Sequence, residues 1–140
     1  NFYLRFCPLI ILHLRYILYG DFINMDIKKV IKSFTYAFCG IHTFISTQQN
    51  ARIHLIATIC AVAIGFFLNI SINDWAIIII AITIVLVAEA LNTSIEFLGD
   101  NASKEHNELI GKAKDVAAGA VLIASFGAII IGAIIYSKYI

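Results

Sequence analysis

Three long apolar runs constrain this chain more than any other feature. They are Ile53 to Ile70 (IHLIATICAVAIGFFLNI), Trp75 to Leu98, and Val116 to Tyr136. A helix that crosses a bilayer needs about 20 mostly apolar residues, and each run is close to or above that length. Only SIND separates the first two, so they are predicted to form a tight helical hairpin. Residues 99–115, GDNASKEHNELIGKAKD, separate the second from the third and carry both charge signs. The hydrophobic share of 61% exceeds the half or so of soluble domains, and no Gly/Ser linker or repeat divides the chain. The reading is an all-α membrane protein with one domain over residues 25–140.

Charge sets the orientation. Lys28, Lys29, Lys32 and Arg52 precede the first run, and Lys104, Lys112 and Lys114 lie between the second and third. SIND has no basic residue and the C-terminal tail has only Lys138. The positive-inside rule then places the N-terminal part and residues 99–115 in the cytoplasm, with the hairpin and C-terminus outside. A net charge of only +1 argues against a nucleic-acid partner. Cys7, Cys39 and Cys60 are odd in number and form no C-x-x-C pair, which argues against a disulfide or metal framework.

Residues 28–47 precede the first run. Val30, Phe34, Ala37, Phe38, Ile41 and Ile45 recur there at three- and four-residue steps, while Lys32, Ser33, His42 and Thr43 fall elsewhere. The pattern predicts an amphipathic helix on the cytoplasmic membrane surface, or one packed on other cytoplasmic parts. Residues 1–24 place Pro8, Arg5, His13 and Arg15 among apolar residues and lack a signal-peptide core and cleavage site. Met25 then opens MDIKKVIKSF, and Gly20-Asp21 can be encoded GGAGAT, which resembles a ribosome-binding sequence. Residues 1–24 are accordingly expected to be translated upstream DNA, with an extra interfacial helix as the alternative. N-terminal sequencing of the natively expressed protein decides between them.

The second run ends in VAEALNTSIEFLGD. Glu89, Asn92 and Glu96 stand at i, i+3 and i+7, so a helix puts them on one face, and Asp100 continues the line. A carboxylate in hydrocarbon costs several kcal/mol and normally faces a bundle interior or a watery cavity. At about 1.5 Å per residue, Glu96 lies near the cytoplasmic boundary and Glu89 roughly 10 Å deeper. The shallow carboxylate suits a hydrated cation; the deep one suits a group that stays in the membrane. Asn92 alone could instead be interhelical glue. Glu105, His106, Lys112, Lys114 and Asp115 add cations for phosphate and carboxylates for Mg²⁺, the parts that phosphoryl transfer needs. A mixed charge run is also what a solvated loop looks like. No G-x-x-x-x-G-K-[ST] or kinase Gly-rich loop is present.

With these residues in view, the sequence resembles the prokaryotic integral-membrane diacylglycerol kinase family, which includes the undecaprenol kinases. YAFCGIHTF, QQNARIHL, AEALNTSIEFLGD and AKDVAAGAVLIAS carry the resemblance, in order, from about Lys29 to the chain end. It implies a homotrimer of three-span subunits, each with an N-terminal surface helix. Sites in the family lie between subunits at the membrane–cytoplasm boundary of the bacterial inner membrane. It implies ATP and Mg²⁺ as cofactors, with Glu89 as the base that takes the lipid hydroxyl proton. Glu96 matches a Mg²⁺ ligand and Asn92 a residue positioning the site. Tyr36, Glu105, His106, Asn107, Lys114 and Asp115 match nucleotide contacts. Lys29 sits where the family often has arginine near both substrates, and Arg52 falls where the lipid site is shaped. The chain departs at Gln48, where much of the family has a glutamate that binds a second Mg²⁺; Gln48 offers an oxygen without the charge.

The expected activity is ATP- and Mg²⁺-dependent phosphorylation of a membrane lipid alcohol, diacylglycerol to phosphatidate, with undecaprenol as the alternative acceptor. QQNARIHL and LNTSIE resemble the undecaprenol-kinase side of the family. A proton-carrying membrane subunit would also use a mid-membrane Glu, but it needs neither Glu96 nor the Lys114-Asp115 pair. A third possibility is a non-catalytic scaffold. ATP hydrolysis stimulated by a lipid alcohol separates the kinase from both.

Overall fold

The computed structural model describes residues 26–102 and 107–140, so the expectation for residues 1–24 lies outside the described residues. The described residues form four helices: α1 (Ile27–Thr47), α2 (Gln49–Leu68), α3 (Ile72–Ala102) and α4 (Glu108–Tyr136). The chain divides into a unit ending at His42 and a second unit, Thr43–Ile140. In the first, Asp26 caps α1 by accepting from the Lys28 backbone N–H at 3.1 Å, and no residue of α1 is buried.

The break between α1 and α2 is one residue, Gln48, in extended conformation. Just before it, the Ser46 and Thr47 hydroxyls donate to the Thr43 carbonyl at 3.2 and 2.8 Å. Such local bonding competes with the helix and favours its end there. Helix α2 stops at Asn69, whose left-handed backbone (φ 50°) a short polar residue tolerates. The Ile70 N–H then returns to the Gly65 carbonyl at 3.3 Å, and Ser71 caps α3, its Oγ accepting from the Asp74 N–H at 3.2 Å. Gly65 is required in this turn. A Cβ on it would come within 2.8 Å of the Trp75 indole, which lies over the backbone and stacks at a tilt on Phe66.

Helices α2, α3 and α4 are each long and apolar enough to cross a membrane. They exceed the apolar runs because polar residues join their ends. Gln49, Asn50 and Arg52 belong to α2, and Asp100 to Ala102 extend α3. Most of the predicted 99–115 loop is therefore helix. Asn107 caps α4, accepting from Leu109 and Ile110 backbone N–H groups at 3.0 and 3.3 Å, and Lys112 pairs with Glu108 one turn away at 2.6 Å. Lys112, Lys114 and Asp115 thus ride on a helix rather than in a loop.

Helix α3 packs most extensively on α4, then on α2. Its buried residues, Asp74, Ile78, Ala81, Val85, Glu89, Asn92 and Thr93, recur at three- and four-residue steps with Thr93 beside Asn92. The core at the hairpin end gathers Ile70, Ile78 and Ile135 with Trp75, Tyr136 and Tyr139 around them. Elsewhere large apolar side chains face outward, as with Phe67, Ile123 and Ile129. An outward apolar surface of this kind suits hydrocarbon, not water.

Candidate active site

The inner face of α3 changes character along its length. Ile78, Ala81 and Val85 make it apolar as far as Val85; one turn on, the same buried line is Glu89 and Asn92. Glu89 is 2% exposed and Asn92 4%. The Asn92 Nδ2 donates to Glu96 Oε1 at 2.9 Å, one turn further along, where Glu96 is half-buried. That bond occupies one Glu96 oxygen and leaves the other free. Asn92 Oδ1 and Thr93 Oγ1 are buried with no hydrogen-bond partner, and no described residue hydrogen-bonds the Glu89 carboxylate. Buried polar atoms are nearly always paired, so the described residues leave this cluster incomplete.

Past Glu96, α3 meets the start of α4. The Asp100 carboxylate pairs with the Lys114 ammonium. Gly99 allows this approach, since a Cβ there would lie 2.8 Å from both Ile110 Cγ2 and Lys114 Cε. Asp100 therefore holds α4 against α3, and Lys114 is turned toward α3 while Asp115 is exposed.

The other predicted site residues fall into three groups. Gln48 is half-buried at the α1–α2 break, and Arg52 is exposed with its Nε donating to the Gln48 carbonyl at 3.4 Å. No hydrogen bond or ion pair among the described residues joins either side chain to the α3 line. Lys29 and Tyr36 lie on α1 in the first unit. Lys29 is exposed, 3.9 Å from Asp26, and Lys32 sits 5.7 Å from the centre of the Tyr36 ring. Asn107 has its Oδ1 engaged in capping α4, which leaves its amide N–H groups for a ligand. Glu105 and His106 lie outside the described residues.

One residue gains a place that the residue pattern alone did not give it. Asp100, left open by the α3 line, gains Lys114 as partner.

Mg²⁺ is usually held by one or two carboxylates together with waters and substrate phosphates. Among the described residues no three His, Cys, Asp or Glu side chains converge as a cage. Glu96, with one free oxygen at the end of the polar line, fits a metal that arrives with its nucleotide.

Comparison with known proteins agrees with this geometry. Residues 35–136 match the family described as prokaryotic diacylglycerol kinase. The undecaprenol kinase of Bacillus subtilis (strain 168) is 35% identical over 111 residues, 79% of this chain and 90% of that protein. The diacylglycerol kinase of Escherichia coli (strain K12) is 31% identical over 102 residues, covering 73% of this chain and 84% of its own length. That of Synechocystis sp. is 33% identical over 105 residues, 74% of this chain and 60% of its own length. The proton-carrier and scaffold readings fall to these matches, and the chain belongs to the prokaryotic diacylglycerol kinase family of membrane lipid kinases.

Proposed function

We propose that the protein transfers the γ-phosphoryl group of ATP to the hydroxyl of diacylglycerol, giving phosphatidate. The observation that carries the reading is Glu89: a buried carboxylate without a donor, on an apolar helix, one turn before an amide and two before a second carboxylate. A carboxylate kept from bulk water is a better base than a solvated one, provided its substrate also stays out of water. A lipid alcohol does. Glu89 takes the hydroxyl proton as the lipid oxygen attacks the γ-phosphorus. Asn92 holds Glu96 in place through its Nδ2 and keeps Oδ1 for a substrate donor. Glu96, with Gln48 as a further oxygen, would hold Mg²⁺, which supplies charge neutralisation on the phosphates when bound. Lys114, Asp115, Asn107, Glu105 and His106 serve the nucleotide; Lys29 and Tyr36 keep the substrate and nucleotide roles that the family pattern gives them, and Arg52 shapes the lipid side.

The same reading includes a homotrimer in the bacterial inner membrane, with α1 as an amphipathic surface helix and the α3–α4 connection in the cytoplasm. Two observations support assembly: the unpaired Asn92 Oδ1 and Thr93 Oγ1, and the lack, among the described residues, of any large side chain below 2% exposure. Identity to an undecaprenol kinase favours undecaprenol as the second acceptor. The test is ³²P transfer from ATP to diacylglycerol and undecaprenol offered side by side in detergent. Label in phosphatidate is expected; label only in undecaprenyl phosphate reassigns the acceptor, and label in neither removes the reading.

A further inference from the structure

Hydroxyls within membrane-spanning helices can bond back to the carbonyl one turn earlier, where hydrocarbon offers them no water. Thr58, Thr83 and Ser94 do so here, donating to the carbonyls of His54, Ile79 and Ala90 at 2.8, 2.8 and 2.9 Å. Ser125, on α4, departs from this pattern. Its Oγ is buried without a hydrogen-bond partner, the same condition as Asn92 Oδ1 and Thr93 Oγ1 on α3. Asn92 and Thr93 belong to the polar line of α3; Ser125 stands on another helix.

Ser125 lines a cavity of about 530 Å³ between α2, α3 and α4. Its depth follows from the antiparallel register of α3 and α4. Glu89 stands eleven residues from Asp100, and Ser125 eleven from Lys114, the ion-pair partner of Asp100. From the other end, Glu89 is eleven residues from Ile78 and Ser125 ten from Ile135, and these two isoleucines share one core. Equal steps along two helices of equal rise put Ser125 at the depth of Glu89. The α3 wall of the cavity starts at Val85, one turn from Glu89 on the same buried face, and continues through Ala81 to Ile78. On α4 the wall runs from Ser125 to Tyr136, whose hydroxyl is tied to the Ala61 carbonyl at 2.8 Å. The end away from the α2–α3 hairpin thus carries Ser125 and His54. Toward the hairpin the wall is aliphatic apart from Cys60 and the committed Thr58 and Tyr136 hydroxyls.

We infer that this cavity takes one acyl chain of diacylglycerol and that the Ser125 hydroxyl donates to the ester carbonyl of the lipid, which makes Ser125 a specificity-determining residue for the acceptor. This rests on the reading of the protein as a diacylglycerol kinase with Glu89 as base. The lipid has the same order of polarity as the wall. In diacylglycerol an ester begins at the carbon next to the one bearing the reacting hydroxyl, and hydrocarbon follows. A lipid with its hydroxyl at Glu89 brings its carbonyl to the depth of Ser125 and runs its chain along the aliphatic wall. A polyprenol has a hydroxyl and then only hydrocarbon, so it leaves Ser125 unpaired. Water is a poor substitute, since a buried water needs several polar partners and an apolar cavity stays dry. The volume is that of a ligand site, with a few polar groups to fix orientation in a mostly apolar wall. Ser125 binds substrate and takes no part in the chemical step.

The test uses the full chain in mixed micelles with Mg·ATP and three lipids. They are diacylglycerol, the dialkylglycerol of equal chain length, which has ether oxygens and no carbonyl, and undecaprenol. In Ser125→Ala, KM for diacylglycerol is expected to rise about threefold to tenfold with kcat near native, the effect of one hydrogen bond lost from binding. The native enzyme is expected to bind dialkylglycerol more weakly than diacylglycerol by the same factor, and Ser125→Ala to treat the two alike. Affinity for the ether is read as KM, or as an inhibition constant where it is not phosphorylated. The melting temperature of Ser125→Ala should not fall, because the hydroxyl has no native bond to lose. An unchanged KM for diacylglycerol in Ser125→Ala overturns the inference. Equal losses on the ester and the ether overturn it too, and with a lower melting temperature they make Ser125 a bond between helices or subunits. If the native enzyme phosphorylates diacylglycerol and Ser125→Ala matches it, the inference alone falls. If the native enzyme phosphorylates only undecaprenol, or none of the three, the proposed function falls and takes the inference with it.

Discussion

Helix α3 buries a carboxylate at each end of its inner face, and the two are treated in opposite ways. Asp74, at the hairpin end, accepts from Lys138 Nζ and the Tyr139 hydroxyl, both at 2.7 Å, and from the Ser71 hydroxyl at 2.9 Å. The Tyr139 hydroxyl in turn accepts from the Ser71 backbone N–H at 2.9 Å. The chain satisfies this acid completely, using its last residues to close the α2–α3 turn. Glu89, 15 residues and about 22 Å along the same helix, has no donor among the described residues. Beside it stand two more unpaired atoms, Asn92 Oδ1 and Thr93 Oγ1. Burial of a charge is costly whether or not it is used. Where the subunit answers that cost with its own donors, the residue holds the fold together. Where it leaves the acid bare, the proposed function has its partners come from outside the chain.

The largest expected effect tests the bare end. Glu89→Gln is expected to lower kcat by about 10²–10⁴-fold while ATP still binds and the melting temperature does not fall, because no native bond is lost. Near-native turnover would break the comparison outright. Glu96→Gln should act chiefly on binding, raising KM for Mg·ATP about tenfold or more, as expected for loss of one charged contact near 1.4 kcal/mol. A fall in kcat at unchanged KM would move Glu96 from the nucleotide to the chemistry. At the satisfied end, Asp74→Asn is expected to reverse the signature: a lower melting temperature with kcat near native at low temperature. Loss of turnover without loss of stability would show that both ends of α3 serve the reaction. The smallest effect belongs to Gln48→Glu, which should lower the Mg²⁺ concentration giving half-maximal rate by a few-fold. An unchanged Mg²⁺ dependence takes Gln48 out of the metal site.

Much of the bare end was legible in the sequence because helical periodicity is a local property. Glu89, Asn92 and Glu96 share a face in any α-helix, and the apolar flanks of that helix make their burial costly wherever it packs. The helix ends were less legible. Asp100 to Ala102 and Glu108 to Asp115 look like loop by polarity, yet the Asn107 cap and the Glu108–Lys112 pair make the second of these stretches helical. Hydropathy marks where a chain meets hydrocarbon; it does not mark where a helix stops.

By itself, then, the sequence determined the three spanning helices, the tight hairpin and the polar line on α3, all set by the order of residues within single elements. Tertiary structure decided the partners: Lys138 and Tyr139 on Asp74, and Lys114 on Asp100 past Gly99. Those pairings join residues 14 to 65 positions apart. They depend on the axial register of packed helices, fixed by contacts such as the Trp75 indole over Gly65 that no local pattern records.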